Sequence, residues 1–382
     1  MTSSTSRHLP FRLVLALGTL AISLVLVGGL PGEADSAPPR PCNGSSDLCR
    51  KTLGQTVIAG THNSMSASDL GWLFPNQKLD IPSQLKKGVR AFLVDTHYGR
   101  LRSDGKVDNV PTEQGAAEGA ETYLCHSLCV WGASPLVAEF RKVASFLKAN
   151  PREVLVFINQ DSITPDDFAR SVEESGLDRY LYRGSIESLP SLSRMISLNQ
   201  RVVMLAEFDA GTIPWYHLAY EKALIETPYS FTSVADLTAP DQLASSCRPN
   251  RGPATGSMFL MNNWVSTSVG LPRPADAPLV NARDAVVARA RACEGVRGRL
   301  PNLVAVDLFG SGDLIGAIWE LNETTPGWHI SGAALRKLAT KGCPRSRSRS
   351  LGFPASERKA PCSAAKRKAL LREKARWARW GT

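Results

Sequence analysis

Thr56-Val-Ile-Ala-Gly-Thr-His-Asn-Ser64 reads as a short apolar strand that runs straight into a crowded polar turn. Similar runs recur at Ala91–Asp95, Val154–Asn159, Arg201–Ala206, Met258–Met261 and Leu303–Asp307. Each is short and almost continuously apolar, the pattern of strands buried on both faces of a parallel sheet. Helical patterns lie between them. Pro135 to Ala149 places Leu136, Val137, Phe140, Val143, Phe146 and Leu147 at helical spacing. Thr164 caps a helix that Pro165 opens, and Asp276 caps a third running to Cys293. Alternating strands and helices predict an α/β chain wound as a (β/α) barrel.

The ends of the chain read differently. Arg7 and Arg12 precede an apolar run from Leu13 to Leu30, and small residues follow in Glu33-Ala-Asp-Ser-Ala37. That order is a secretory signal, with Ala37 the last residue removed; an uncleaved membrane anchor is the alternative. The expected organisation is a signal over 1–37, a barrel over 38–340 and a basic extension over 341–382. The net charge of +10 is concentrated in that extension, at Arg345-Ser-Arg-Ser-Arg349 and from Lys366 to Arg379. A basic excess confined to a tail speaks of partners and not of the fold. Ala364–Trp380 is either a solvated end helix or a peripheral contact with anionic lipid headgroups. No nucleic acid is expected, and the chain reads as a monomer.

Cysteine usage agrees with export. The chain has 8 cysteines, an even number, and pairing neighbours in sequence gives Cys42–Cys49, Cys125–Cys129, Cys247–Cys293 and Cys343–Cys362. A zinc site is the weaker reading, since no Cys-x-x-Cys occurs.

Candidate chemistry gathers at strand ends, where barrels build their sites. His62 and Asn63 follow the first strand, and Asp95 and His97 end the next. Asp95 suits a metal, the orientation of a histidine, or merely a turn. His126 sits inside Cys125-His-Ser-Leu-Cys129, a loop too small to stabilise the chain much but able to fix where an imidazole points. Gln160 and Asp161 end the strand after that, and Glu207 follows another. Trp215, Asn263 within Asn262-Asn-Trp264, and Asp307 are expected to line a pocket with His97 and Glu207. For Trp215 a packed aromatic loop is an equal reading. Phe309-Gly-Ser-Gly-Asp313 reads as a turn, because no phosphate-loop Lys-Ser/Thr follows it.

An ordered series of short matches resembles the phosphatidylinositol-specific phospholipase C X-domain family, in its secreted, disulfide-containing form. The matches are Gly60-Thr-His-Asn-Ser64, Gln84-Leu with Gly88-Val-Arg, Leu124-Cys-His126 and Val143-x-x-Phe-Leu-x-x-Asn-Pro-x-Glu-Val154. They continue through Ser246-Cys-Arg-x-Asn-Arg-Gly252, Asn262-Asn-Trp264 and Pro301-Asn-x-Val-Ala-Val-Asp307. The resemblance implies a distorted (β/α)8 TIM-like barrel that cleaves a phosphodiester, by default in a phosphatidylinositol or related headgroup. It implies His62 as general base and His126 as general acid, with a Ca²⁺ ion assisting. Asn63 and Asp95 match the calcium-dependent pattern, while Leu93 and Gln160 match neither known branch. Asn63, Asp95, Gln160 and Asp161 are therefore the expected oxygen ligands. Two alternatives stay open: a secreted binding barrel with a decayed site, and a glycerophosphodiester phosphodiesterase, which lacks support from a His-Arg-Gly start.

Overall fold

The computed structural model describes residues 40–324. The expected signal, the basic extension, its helix and the Cys343–Cys362 pair lie outside the described residues. Eleven strands occur in chain order: β1 Ile58–Thr61, β2 Val89–Leu101, β3 Val107–Val110, β4 Glu121–Leu124, β5 Ser134–Pro135, β6 Leu155–Ser162, β7 Val202–Ala206, β8 Tyr216–Leu218, β9 Leu224–Glu226, β10 Met258–Asn262 and β11 Leu303–Val306. Eight of them form one hydrogen-bonded path, β8-β7-β6-β2-β1-β11-β10-β9. Every pairing along it is parallel. The two end strands, β8 and β9, share no ladder and are joined by the five-residue helical turn Ala219–Ala223. The fold is a distorted (β/α)8 barrel, open at that seam.

The continuous apolar runs are explained by two cores. In β6, Val156 and Ile158 face one cluster, together with Ile58, Ala91, Leu205, Leu260 and Ala305. Their neighbours Leu155 and Phe157 face the other, with Phe140, Phe168 and Val304. Successive side chains of a strand point to opposite faces, so inner and outer cores use alternate residues of the same runs. The helix Leu136–Ala149 packs Phe140 edge-on against Phe157 at 5.5 Å. Thr164 caps the helix Pro165–Ser175 as expected, accepting the amide of Asp167.

One expectation fails. The helix over Asp276–Cys293 is two helices, Ala277–Val280 and Arg283–Arg297, and Asp276 makes no capping bond. The carboxylate of Asp276 pairs instead with Arg273 at 2.6 Å. The break frees the buried Asn281, whose amide donates to the carbonyl of Asp307 at 2.8 Å.

β2 is the strand that shapes the site. Its 13 residues outrun the barrel. The first part pairs in parallel with β1 and β6, and the second part pairs antiparallel with β3 and β4. β4 therefore runs back along β2 and ends beside Asp95, where the Cys125 amide donates to the Asp95 carbonyl at 3.2 Å. That return delivers His126 to the C-terminal end of the barrel.

The cysteine pairs Cys42–Cys49, Cys125–Cys129 and Cys247–Cys293 are all formed. Cys247–Cys293 spans 46 residues and ties the turn Ser245–Cys247 to the helix Arg283–Arg297. Removing it with paired alanines should cost ~2–5 kcal/mol of unfolding free energy, by releasing a long loop in the unfolded chain. Denaturant titration of the double variant checks this, and the same experiment on the short Cys125–Cys129 ring should show the smaller loss.

Candidate active site

Thr61 pairs with Val306 in the β1–β11 ladder, and the His62 amide donates to the Val306 carbonyl at 3.0 Å. The next step along both strands sets His62 beside Asp307. His62 Nδ1 and Asp307 Oδ1 are 2.9 Å apart. The carboxylate of Asp307 is held in turn by Asn76, whose amide nitrogen lies 3.1 and 3.2 Å from its two oxygens. Gln77 secures the backbone below, donating to the carbonyls of His62 and Val306 at 2.8 and 2.9 Å. A carboxylate on Nδ1 fixes the hydrogen there and leaves Nε2 as the free, basic nitrogen. The His62 ring also lies flat on the indole of Trp264, with centroids 3.9 Å apart and planes within 5°.

His126 faces this assembly. Its ring centroid is 6.4 Å from that of His62, at 68° between planes. One phosphoryl group can touch both rings at that spacing. Beyond the disulfide, Asn109 braces the loop by donating to the Ser127 carbonyl at 2.9 Å and accepting the Cys129 amide at 2.8 Å. The residue after each histidine, Asn63 and Ser127, is left-handed, with φ of 44° and 58°. Such turns are unusual outside glycine and mark chains forced to reverse at once.

The electrostatics crowd like charges together. Burial, then the nearby charges of His62 and His97, pull His126 from 6.5 down to about 4. His97, half-buried on β2, is itself lowered by burial. Asp95 is buried, with no partner for its Oδ2 among the described residues. Burial first, and Glu207 second, raise its carboxyl well above 3.8. Perturbed groups of this kind concentrate at functional sites.

Of the expected calcium ligands, Asp161 is drawn away from the others. Asp95 and Gln160 pair in register and so share the inner face. Asp161 is one residue on, and the pleat turns it outward. There its carboxylate accepts the backbone amides of Glu207, Phe208 and Asp209 at 2.9, 3.0 and 2.8 Å. The Asn63 amide nitrogen is engaged with Asn76 at 3.3 Å. Glu207 is clamped by Arg251 at 3.0 Å, and Arg251 also holds the buried Glu226 at 2.6 Å. Among the described residues, no three of His, Cys, Asp or Glu are grouped to hold a metal. Asp161 is thus withdrawn from the expected set, and the oxygens of Asn63, Asp95 and Gln160 remain as its candidate ligands.

Two pocket expectations are also corrected. Asn263 is buried, with its amide on the Val280 carbonyl at 2.9 Å and its oxygen accepting from Arg289 at 3.0 Å. Trp215 is buried against Phe168 and Tyr216. Asp307 bonds to His62. The sequence assigns no site role to Asn76 or Arg251: Asn76 lies in a loop that no strand end marks, and Arg251 falls within the Ser246–Gly252 motif.

A family model described as PI-PLC X 1 matches residues 48–322. The chain belongs to the PI-PLC X family. A PI-PLC X domain-containing protein 1 of the fungus Arthroderma benhamiae is 26% identical over 340 residues, covering 84% of this chain and 99% of that protein. An uncharacterized secreted protein of the same fungus is 26% identical over 309 residues, covering 76% of this chain. The chain spans only 64% of that second relative's length. The phosphatidylinositol-specific phospholipase C of Staphylococcus aureus is similar in structure, at 15% identity and a TM-score of 0.46, over 72% of this chain and 94% of that one. A calcium-dependent phosphoinositol-specific phospholipase C from a Pseudomonas species aligns at 13% identity with a TM-score of 0.37, over 72% of this chain and 96% of that one. The family match displaces the glycerophosphodiester phosphodiesterase reading.

The neutral state of the half-buried His126 has a consequence for stability. The unfolded chain takes up this proton near pH 6.5, and the folded chain only near pH 4. Between those values the unfolded state binds more protons, so stability falls as the pH drops through the window. His126→Gln should flatten that fall, as read from denaturant titrations at a series of pH values. An unchanged slope would contradict the neutral ring.

Proposed function

We propose that the chain is a secreted phospholipase C-type phosphodiesterase acting on a lipid-linked headgroup. The observation that carries the reading is the His62–Asp307 pair at 2.9 Å with a second imidazole 6.4 Å from the first. His62 takes the proton of an attacking hydroxyl on Nε2, while Asp307 steadies the imidazolium that forms. The hydroxyl oxygen bonds to phosphorus as the bond to the leaving oxygen breaks. His126 gives that oxygen a proton. In the free protein His126 is neutral at pH 7, since it sits at about 4. A bound phosphodiester anion supplies the opposite charge that favours its protonated form. When the attacking hydroxyl belongs to the headgroup itself, the product is a cyclic phosphate, which water opens with the two histidines exchanging roles.

The rim of the site favours a lipid over a soluble diester. Leu70, Leu73 and Phe74, in the loop between β1 and β2, are 43%, 54% and 49% exposed, and Leu128 beside His126 is 45% exposed. Phe74 meets Trp131 edge-on at 5.4 Å, and the Leu73 amide donates to the Trp131 carbonyl at 2.8 Å, so the two loops form one apolar rim. Exposed apolar patches of this kind mark interaction surfaces. Secretion is supported by the three disulfides and by the secreted relative.

The rival reading is a decayed barrel, favoured by the incomplete cation shell. Release of water-soluble phosphate ester from phosphatidylinositol and other diester-containing vesicles separates the two. Turnover is expected with or without chelator, with His62→Ala and His126→Ala each losing ~10²–10⁴-fold while melting as the parent does. Near-normal activity in either variant overturns the assignment. Loss with chelator and recovery with Ca²⁺ would mean that substrate completes a cation site. Inactivity of the parent on every diester supports the decayed reading.

A further inference from the structure

We propose that Trp264 is a positioning residue that holds the His62 imidazole in its working plane. The proposal rests on His62 being the base of the reading above. Asp307 grips the His62 ring at one atom, Nδ1, at 2.9 Å. A ring held by one hydrogen bond can still tilt about that contact. The indole supplies the missing constraint, because two planes 5° apart with centroids 3.9 Å apart leave no tilt. The carboxylate sets the direction of the ring and the indole sets its plane. Together they place Nε2 on the edge away from Asp307, open to a substrate hydroxyl.

Trp264 is itself fixed from behind at unusual cost. It is 5% exposed and follows β10, whose last residue Asn262 pairs with Ala305 two residues before Asp307. The guanidinium of Arg289 is fully buried and donates to the Asn262 carbonyl at 2.7 Å and the Asn263 side chain at 3.0 Å. Its other bonds go to the Ser246 hydroxyl and carbonyl at 2.9 and 3.0 Å. None of these partners is a carboxylate. Burying a guanidinium without an acid is expensive, and burial pulls it down to about 9. Arg289 also lies over the Phe231 ring at 5.0 Å. A buried cation spent on Asn262 and Asn263 locks the two residues that lead into Trp264.

Indole packing alone would give Trp264 a role in stability but none in the chemistry. Three forms separate the two: the parent, Trp264→Leu, which removes the flat face, and Trp264→Phe, which restores one. On whichever phosphodiester the parent cleaves, Trp264→Leu should lose ~100-fold in kcat, the scale of a misplaced catalytic group, with KM little changed. Trp264→Phe should recover most of it. Independently of turnover, the His62 ring-proton NMR signals should lie upfield in the parent. They should move downfield in Trp264→Leu and return part-way in Trp264→Phe. An unmoved His62 signal, or an unchanged kcat in the Leu variant, overturns the proposal. If the parent cleaves nothing, the function fails on its own and the NMR shift still decides the ring's placement. If the Leu variant does not fold, the Phe variant decides: its smaller ring must give a smaller upfield shift, and an identical spectrum overturns the proposal.

Discussion

The contact between His62 Nδ1 and Asp307 joins residues 245 apart in sequence, and the rest of the site is arranged around it. It exists because β1 and β11 pair in parallel, with Thr61 opposite Val306. A shift of one residue in that ladder would turn either side chain to the other face of the sheet. The barrel's open seam lies elsewhere, between β8 and β9, so the imperfection of the fold leaves the β1–β11 ladder intact. Asn76 and Gln77 then fasten the carboxylate and the backbone from a single loop.

Around that pair the electrostatics are unbalanced by construction. His126 and His97 are lowered and Asp95 is raised, each chiefly by burial. All three are thereby pushed towards their neutral forms. Arg251 is committed to Glu207 and Glu226. In the function proposed above, an anionic diester would supply the charge that favours the protonated form of His126. The same burial makes the resting protein lose stability on protonation of His126 at low pH.

Much of this was legible in the sequence. The apolar runs mark six of the eight barrel strands, and the strand ends mark His62, Asp95 and Asp307. The Cys125–Cys129 loop marks His126. β8 and β9 escape notice because each is three residues long and carries polar or aromatic side chains. Two site assignments fail for one shared reason. Asp161 and Asn263 each stand one residue away from the inward-facing position, which Gln160 and Trp264 occupy. The period of a strand is two, so a polar residue at the right end of the right strand still has even odds of facing away. Asn76 was illegible for a different cause: its place is set by a loop fold that only the closed barrel determines.

The central claim is that Asp307 holds His62 as a base with its Nε2 bare. Long-range ¹H–¹⁵N correlation of the histidine rings near neutral pH reads this directly. The expected spectrum has the hydrogen of neutral His62 on Nδ1 and none on Nε2, and Asp307→Asn disturbs that preference while His126 keeps its own pattern. A hydrogen on Nε2 of His62, unaffected by Asp307→Asn, would contradict the account.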